Sequence, residues 1–436
     1  MKCDSLTMLR TPLARIRYWL PVYLLIELAI LVTLVRVQGV FVQVGMDFLP
    51  SFAGARMLID GGRHDLYDTF LQWHRQQPII NDYGGGWTDR MVQPYVAPPQ
   101  LAIITLPLLL VGPIIGWLVW ISANLAAAVL AVRLLVRRLR IDWPLIASIV
   151  LASFPLFYTL LLGQVEGILL LALTVFVLEL RRGNEGRAGL ALAVLALKPQ
   201  LLLVPLLFMV VTGRRRGLIV TLTAGAAQLV VSTLVVGISG MREYVNLGQR
   251  LSTPEGIVAT NVPGMVNIRG AIVRALPWLD ANLANVLILV FSLALLAVAV
   301  YLWRKLGALA LSGPGIALLM TTLLLTSYHA LYHTAVFATL AVVFLVEHAW
   351  NAGDESLVWR LTVGAWVGFA LLPMLAFVLI VQSSPVPATI GTLAALGFWA
   401  VAIRQGLELA QSPVTVTAPV SPGLEPVLSE PPLRDS

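Results

Sequence analysis

Charge is scarce in this 436-residue chain: Asp, Glu, Lys and Arg together make up 12% of it, against about a quarter in an ordinary soluble domain. Cysteine is nearly absent as well. The single Cys3 cannot form an intrachain disulfide, which excludes a disulfide-stapled scaffold and leaves the redox compartment open. There is no Walker-type phosphate loop and no glycine-rich dinucleotide turn. ATP hydrolysis and use of a cytosolic nucleotide-sugar are therefore unsupported, and no cofactor is expected. No internal repeat stands out, which counts against an inverted-repeat transporter.

What fills the chain instead is apolar. Hydrophobic residues make up 58% and the mean hydropathy is +0.87. Apolar runs of about 17 to 25 residues recur from Tyr18 to Arg404, each long enough to cross a hydrocarbon core of about 30 Å. This implies an all-α polytopic membrane protein. The net charge of +7 comes from short basic clusters at the ends of apolar runs, so it reads as a topology signal and no nucleic-acid partner is expected. The first run follows Lys2, Arg10, Arg15 and Arg17 without a small-residue cleavage site, so it is expected to remain as an anchor.

The positive-inside rule places residues 1–17 in the cytoplasm, and a first helix over 18–41 then delivers 42–96 to the outside. Basic clusters at Arg133, Arg137, Arg138 and Arg140, at Arg181, Arg182 and Arg187, and at Arg214, Arg215 and Arg216 return to the cytoplasm. Residues 97–111, opened by Pro98-Pro99 and interrupted by Pro107, read as a re-entrant or interfacial helix. Spans follow over 113–136, 143–161, 165–180, 217–237, 282–303, 306–327, 332–350, 357–381 and 387–404, with a hairpin of two short helices, 188–197 and 200–211. About twelve crossings result. The transmembrane domain covers 18–404, with outer loops over 42–96 and 238–281, and the Pro-rich stretch 405–436 is expected to be a disordered cytoplasmic tail.

Parity sends Asp47, Gln164, Lys198 and the stretch Tyr328 to His333 to the outer side. Lys198 breaks an apolar hairpin beside Pro199. A lysine near a helix end can snorkel to the interface, but a broken helix at membrane depth implies a cavity, and an ionisable group there faces it. Asp47 precedes Phe48, Phe52, Ala55 and Ile59 at helical spacing, so it opens a short surface helix as its N-cap or as a reactive carboxylate. His329 and His333 are four apart, the spacing of a metal pair on one helix face. With no third ligand nearby, bonds to helix-end carbonyls or to a phosphate are the better reading, and no metal is expected. Gln164 and Glu166 sit where they could cap a helix and favour its dipole. Glu27 and Arg36 in the first helix are costly in lipid; Arg36 can reach the outer interface, while Glu27 has no assigned partner.

The run from Asp47-Phe48 through Leu58-Ile59-Asp60-Gly61 to Leu66-Tyr67-Asp68 resembles the opening of family 87 glycosyltransferases. These are polyprenol-phosphate-sugar-dependent enzymes with the GT-C fold. The similarity continues through Tyr95-Val96-Ala97-Pro98-Pro99, Leu106-Pro107-Leu108, Gly163-Gln164, Ala188-Gly189-Leu190, Lys198-Pro199 and Ser327-Tyr328-His329. Departures are Ser51 in place of an aromatic, Glu166 in place of Asn, and the absence of Pro before His329.

The resemblance implies a GT-C-like fold with outer juxtamembrane helices in the plasma membrane. It implies inverting transfer of a hexose, mannose by family analogy, from a polyprenyl-phosphate donor to a glycolipid or glycan acceptor at the outer face. Asp47 is then the base that takes the acceptor hydroxyl proton. Lys198, His329, His333 and Arg274 meet the leaving phosphate, with Arg269 the competing arginine. Gln164, Tyr95 and Tyr332 are the implied substrate contacts. A transporter or flippase, whose cationic chamber binds a lipid headgroup without reaction, is the alternative class.

Overall fold

The computed structural model describes residues 5–41, 44–84, 93–251, 261–379 and 385–411, and these are helical with no strand among them. In chain order the helices are α1 (Ser5–Gln38), α2 (Phe48–Ile59), α3 (Thr69–Tyr83), α4 (Pro99–Thr105), α5 (Gly112–Leu139) and α6 (Trp143–Val150). Next come α7 (Phe154–Leu162), α8 (Glu166–Arg181), α9 (Glu185–Ala193), α10 (Leu203–Val211), α11 (Arg215–Leu251) and α12 (Ile268–Ala275). The last six are α13 (Ala281–Leu306), α14 (Gly313–Thr326), α15 (Val336–Asn351), α16 (Glu355–Trp366), α17 (Leu372–Leu379) and α18 (Val386–Gln411).

Among the described residues, seven helical segments are long and apolar enough to cross a membrane, eight if the bent pair α6 and α7 counts as one. The expected twelve is not reached, for a physical reason. Helix α14 has 14 residues and α8 has 16, and at about 1.5 Å per residue these reach about 21 and 24 Å. Such short helices are viable because protein surrounds them: every α14 residue from Gly313 to Leu325 is buried. The expected span over 143–161 is likewise two helices meeting at 54° around Ser153-Phe154-Pro155. The hairpin on either side of Lys198 is broken as expected, by 3-10 turns over Val194–Leu197 and Pro199–Leu201.

Residues 97–111 form α4 and a 3-10 turn, Leu106–Val111, which does not run straight into α5. At Gly112 the backbone turns (φ +78°), and the Leu108 carbonyl lies 3.2 Å from where a Cβ on Gly116 would stand. The stretch therefore folds back on the start of α5.

The bundle has a centre and a periphery. The segment Tyr332–Asn351 is buried over most of its length, whereas Trp19–Val37 and Ala281–Leu311 are mostly exposed and face the lipid. Its two ends differ in chemistry. One end is rich in arginine: Arg181 pairs with Glu347 at 2.6 Å, and Arg214 with Glu185 at 3.6 Å. The other end gathers the polar residues that the sequence singles out. Helix α18 runs on to Gln411, seven residues past the expected boundary, and the tail over 412–436 lies outside the described residues. Glu27 is buried on the face of α1 turned to the bundle, one turn after Tyr23, and its Oε1 has no partner among the described residues.

Candidate active site

The site is built where the turn after α1 meets the end of α7. The Gly45 N–H donates to the Leu161 carbonyl at 2.7 Å, and the Asp47 N–H to the Leu162 carbonyl at 3.0 Å. Helix α7 ends at Gly163 in the left-handed region (φ 76°, ψ 35°), and its carbonyl accepts from the Trp120 indole at 2.8 Å. A Cβ at Gly163 would stand 2.7 Å from Cβ of Phe48. Only glycine meets both demands. Gly163→Ala is therefore expected to destabilise the fold by about 1–3 kcal/mol and to lower turnover by displacing Asp47. Thermal melting and activity in detergent check this; a variant unchanged in both contradicts it.

These backbone bonds bring Asp47 to Gln164, whose Nε2 donates to Asp47 Oδ2 at 2.7 Å. Asp47 stands at the N-cap position of α2, yet its side chain makes no capping bond. Gln164 Oε1 accepts in turn from Lys198 Nζ at 2.8 Å. Lys198 also pairs with Glu166, the first residue of α8, and the same Glu166 oxygen is bonded to His333 Nδ1 at 2.7 Å. One continuous chain of side chains thus links Asp47, Gln164, Lys198, Glu166 and His333. Asp47 Oδ1 accepts no bond among the described residues, and Lys198 uses two of its three N–H donors.

His329 does not share a helix face with His333. The Val266 N–H donates to the Ala330 carbonyl at 2.8 Å, and Met265 bridges to Leu331, which draws residues 327–331 into an extended loop. The expected i, i+4 geometry is lost to that pairing. His329 still lies within electrostatic reach of Lys198, His333, Arg269 and Glu166. Burial, with Lys198 and the other cations adding to it, pushes its imidazole down to about 3, which leaves a neutral ring with one N–H to donate. No group of His, Cys, Asp and Glu suited to a metal occurs among the described residues.

The two arginines of α12 are in unlike surroundings. Arg274 is occupied as a staple: Nη1 donates to the Pro263 and Met265 carbonyls at 2.8 and 2.6 Å, and Nη2 to Thr392 Oγ1 at 2.9 Å. Arg269 is 2% exposed and lies over the Tyr328 ring, 4.1 Å from its centroid. None of its three guanidinium nitrogens has a hydrogen-bond partner among the described residues. Asn267 sets its position, accepting from the Gly270 N–H at 2.8 Å and donating to the Ser327 carbonyl at 2.6 Å. A buried guanidinium left unpaired costs several kcal/mol unless an anion meets it.

Tyr332 is buried beside Phe154, 5.1 Å between ring centroids, and its hydroxyl has no partner among the described residues. Tyr95 is not brought to this cluster. It sits in a separate core with Tyr67 and Leu66, donating to the Pro98 carbonyl at 2.6 Å and accepting from the Ala102 N–H at 2.9 Å. Glu166 is the residue that sequence reasoning left as a helix cap, although an acid opening an apolar helix signals a buried partner.

A family model described as Glycosyltransferase family 87 matches residues 95–313, half of the chain. The match includes Gln164, Glu166, Lys198 and Arg269; Asp47, His329 and His333 lie outside it and join them through the fold. No curated protein and no solved structure matches the chain.

Proposed function

Because the chain belongs to glycosyltransferase family 87 and is therefore a sugar-transferring membrane enzyme, we propose that it moves a hexose, mannose by family analogy, from a polyprenyl phosphate to a hydroxyl of a membrane-bound glycan. The observation that carries this reading is a free carboxylate oxygen on Asp47 tied by one hydrogen-bond chain to a set of anion-seeking groups, Lys198 with a spare donor, neutral His329 and unpaired Arg269. A sugar hydroxyl is a poor nucleophile and needs a base within hydrogen-bond reach. A lipid phosphate is a good leaving group and needs only charge stabilisation. In one displacement, Asp47 takes the hydroxyl proton as the oxygen bonds to the anomeric carbon. The bond from that carbon to the phosphate oxygen breaks, and Lys198, Arg269 and His329 receive the departing anion. Gln164 holds Asp47, and Tyr332 contacts substrate. His333 orients Glu166.

Incubating the purified protein with a synthetic polyprenyl-phosphate hexose and membrane glycolipids, then weighing the products, tests the reading. A new glycoside is expected. Movement of the donor across a vesicle without a new glycosidic bond overturns transfer in favour of a flippase.

The same reading assigns the arginines opposite roles, with Arg269 replacing Arg274 at the phosphate. Arg269→Ala is expected to raise the donor KM by about tenfold or more, the worth of one charge-assisted contact, and to leave stability intact. Arg274→Ala is expected to lower stability by about 1–3 kcal/mol with donor KM unchanged. Donor titration and melting curves read both, and the reverse pattern restores Arg274 as the phosphate ligand.

The site faces the outside of the plasma membrane, with the arginine-rich end in the cytoplasm and the short buried helices completing twelve passages. A cysteine replacing Ser239 is expected to label from outside, and one replacing Thr212 only after permeabilisation. The opposite pattern inverts the topology.

A further inference from the structure

At the end of the bundle remote from Asp47, helices α16 and α18 part around a cleft that sugar transfer does not use. The helices touch where α16 passes into a π turn, Val367–Leu371: a Cβ on Gly368 would stand 2.5 Å from that of Ala394. From there toward Asp354 and Glu408 they enclose a cavity of about 540 Å³, within the range of small-molecule sites. Its walls carry no side chain at Gly364 and Gly397 and only a methyl at Ala394, and Phe398 also lines it.

The polar groups at its mouth are unevenly satisfied. Arg404 is paired with Glu408 at 2.9 Å, and Asp354 accepts from the Leu357 N–H at 2.9 Å with one carboxylate oxygen. Arg360 has no ion-pair partner among the described residues. Gln405 is 5% exposed, and its buried Oε1 has no hydrogen-bond donor among them. The cleft therefore offers a guanidinium without an anion and, beside it, an amide oxygen and a carboxylate able to accept N–H groups. Apolar walls open beside them to the lipid.

That inventory fits one headgroup chemistry. We propose that the cleft between α16 and α18 binds phosphatidylethanolamine, with its phosphate on Arg360 and its ammonium between Gln405 and Asp354. A primary ammonium supplies up to three N–H donors, whereas the quaternary ammonium of choline supplies none. Asp354 and Glu408 at the mouth disfavour a lipid with net negative charge.

Native mass spectrometry of the full chain in detergent micelles tests this with equal amounts of phosphatidylethanolamine, phosphatidylcholine and phosphatidylglycerol of matched acyl chains. Ethanolamine lipid is expected to be retained over choline lipid by roughly tenfold, the ratio that one charge-assisted hydrogen bond supports. Nothing lies within 4 Å of the Cβ position on Gly397, so a side chain there starts into open space, and Gly397→Leu should fill the cleft and bring the ratio to about one with melting unchanged. Arg360→Ala, at an exposed position, should lower total lipid retention and provides a second reading if Gly397→Leu fails to fold. Equal retention of choline lipid, preference for the glycerol lipid, undiminished selectivity in a folded Gly397→Leu protein, or undiminished total retention in a folded Arg360→Ala protein overturns the proposal.

Discussion

Asp47→Asn is expected to remove transfer while leaving the fold and donor binding in place. Loss of a general base costs about 10²–10⁴ in rate. The structure separates that from a folding effect, because Asp47 makes no capping bond to α2 and Asn keeps an oxygen able to accept from Gln164 Nε2. Burial raises the Asp47 carboxyl above its ordinary 3.8, and His333, Gln164 and Lys198 offset this only in part. The base must be ionised to act, so activity is lost as pH falls through a pKa above 3.8. Removing Gln164, which lowers that pKa, should move the acid limb of a Gln164→Leu variant to still higher pH. The pH–rate profile checks both signs. Near-normal transfer by a folded Asp47→Asn protein removes Asp47 from the chemistry.

The second large effect is at Lys198. Lys198→Ala deletes the cation facing the proposed phosphate and also strips Glu166, whose side chain is fully buried, of its lysine partner. Breaking one side of a buried pair costs about 3–5 kcal/mol, whereas replacing both by uncharged groups is often neutral. Lys198→Ala should therefore lose both stability and donor use. Lys198→Met combined with Glu166→Gln should recover most of the stability and none of the donor use. A double variant that transfers normally, or a single variant with a raised acceptor KM and unaltered donor kinetics, sinks the assignment.

These two residues were also the most legible in the sequence, and for the same reason: lipid makes ionisable groups expensive, so their positions carry information without any partner in view. Asp47 at the rim of the first helix and Lys198 in a broken hairpin were both singled out, and the fold joins them through Gln164. The choice between Arg269 and Arg274 was not legible. Both lie on α12, and only the carbonyls of Pro263 and Met265 around Arg274 distinguish a staple from an unpaired cation. His329 and His333 misled through spacing, because a four-residue interval implies one helix face only if the segment is helical. Pairing of 265–266 with 330–331 overrides it.

The count of spans was legible only in part, for a related reason. Hydropathy and charge located nearly every helix and ordered the ends of the bundle correctly, since Arg181 and Arg214 do gather at one end and Asp47, Gln164 and Lys198 at the other. Hydropathy does not report whether a helix faces lipid or protein. Helix α14, walled in on every side, stops at 14 residues, and the run over 143–161 bends in two. Tyr95 looked like a substrate contact by its place in a motif, while its hydroxyl is used twice over to hold its own loop.

The central claim is a single displacement at an anomeric carbon, with Asp47 as the base and a lipid phosphate as the leaving group. The most direct test is the anomeric configuration, read by NMR, of the glycoside made from a polyprenyl-phosphate hexose of known configuration. One base and one step require the opposite configuration in the product, so a β-linked donor yields an α-glycoside. A product that retains the donor's configuration, which demands a second nucleophile and a covalent intermediate, contradicts the account.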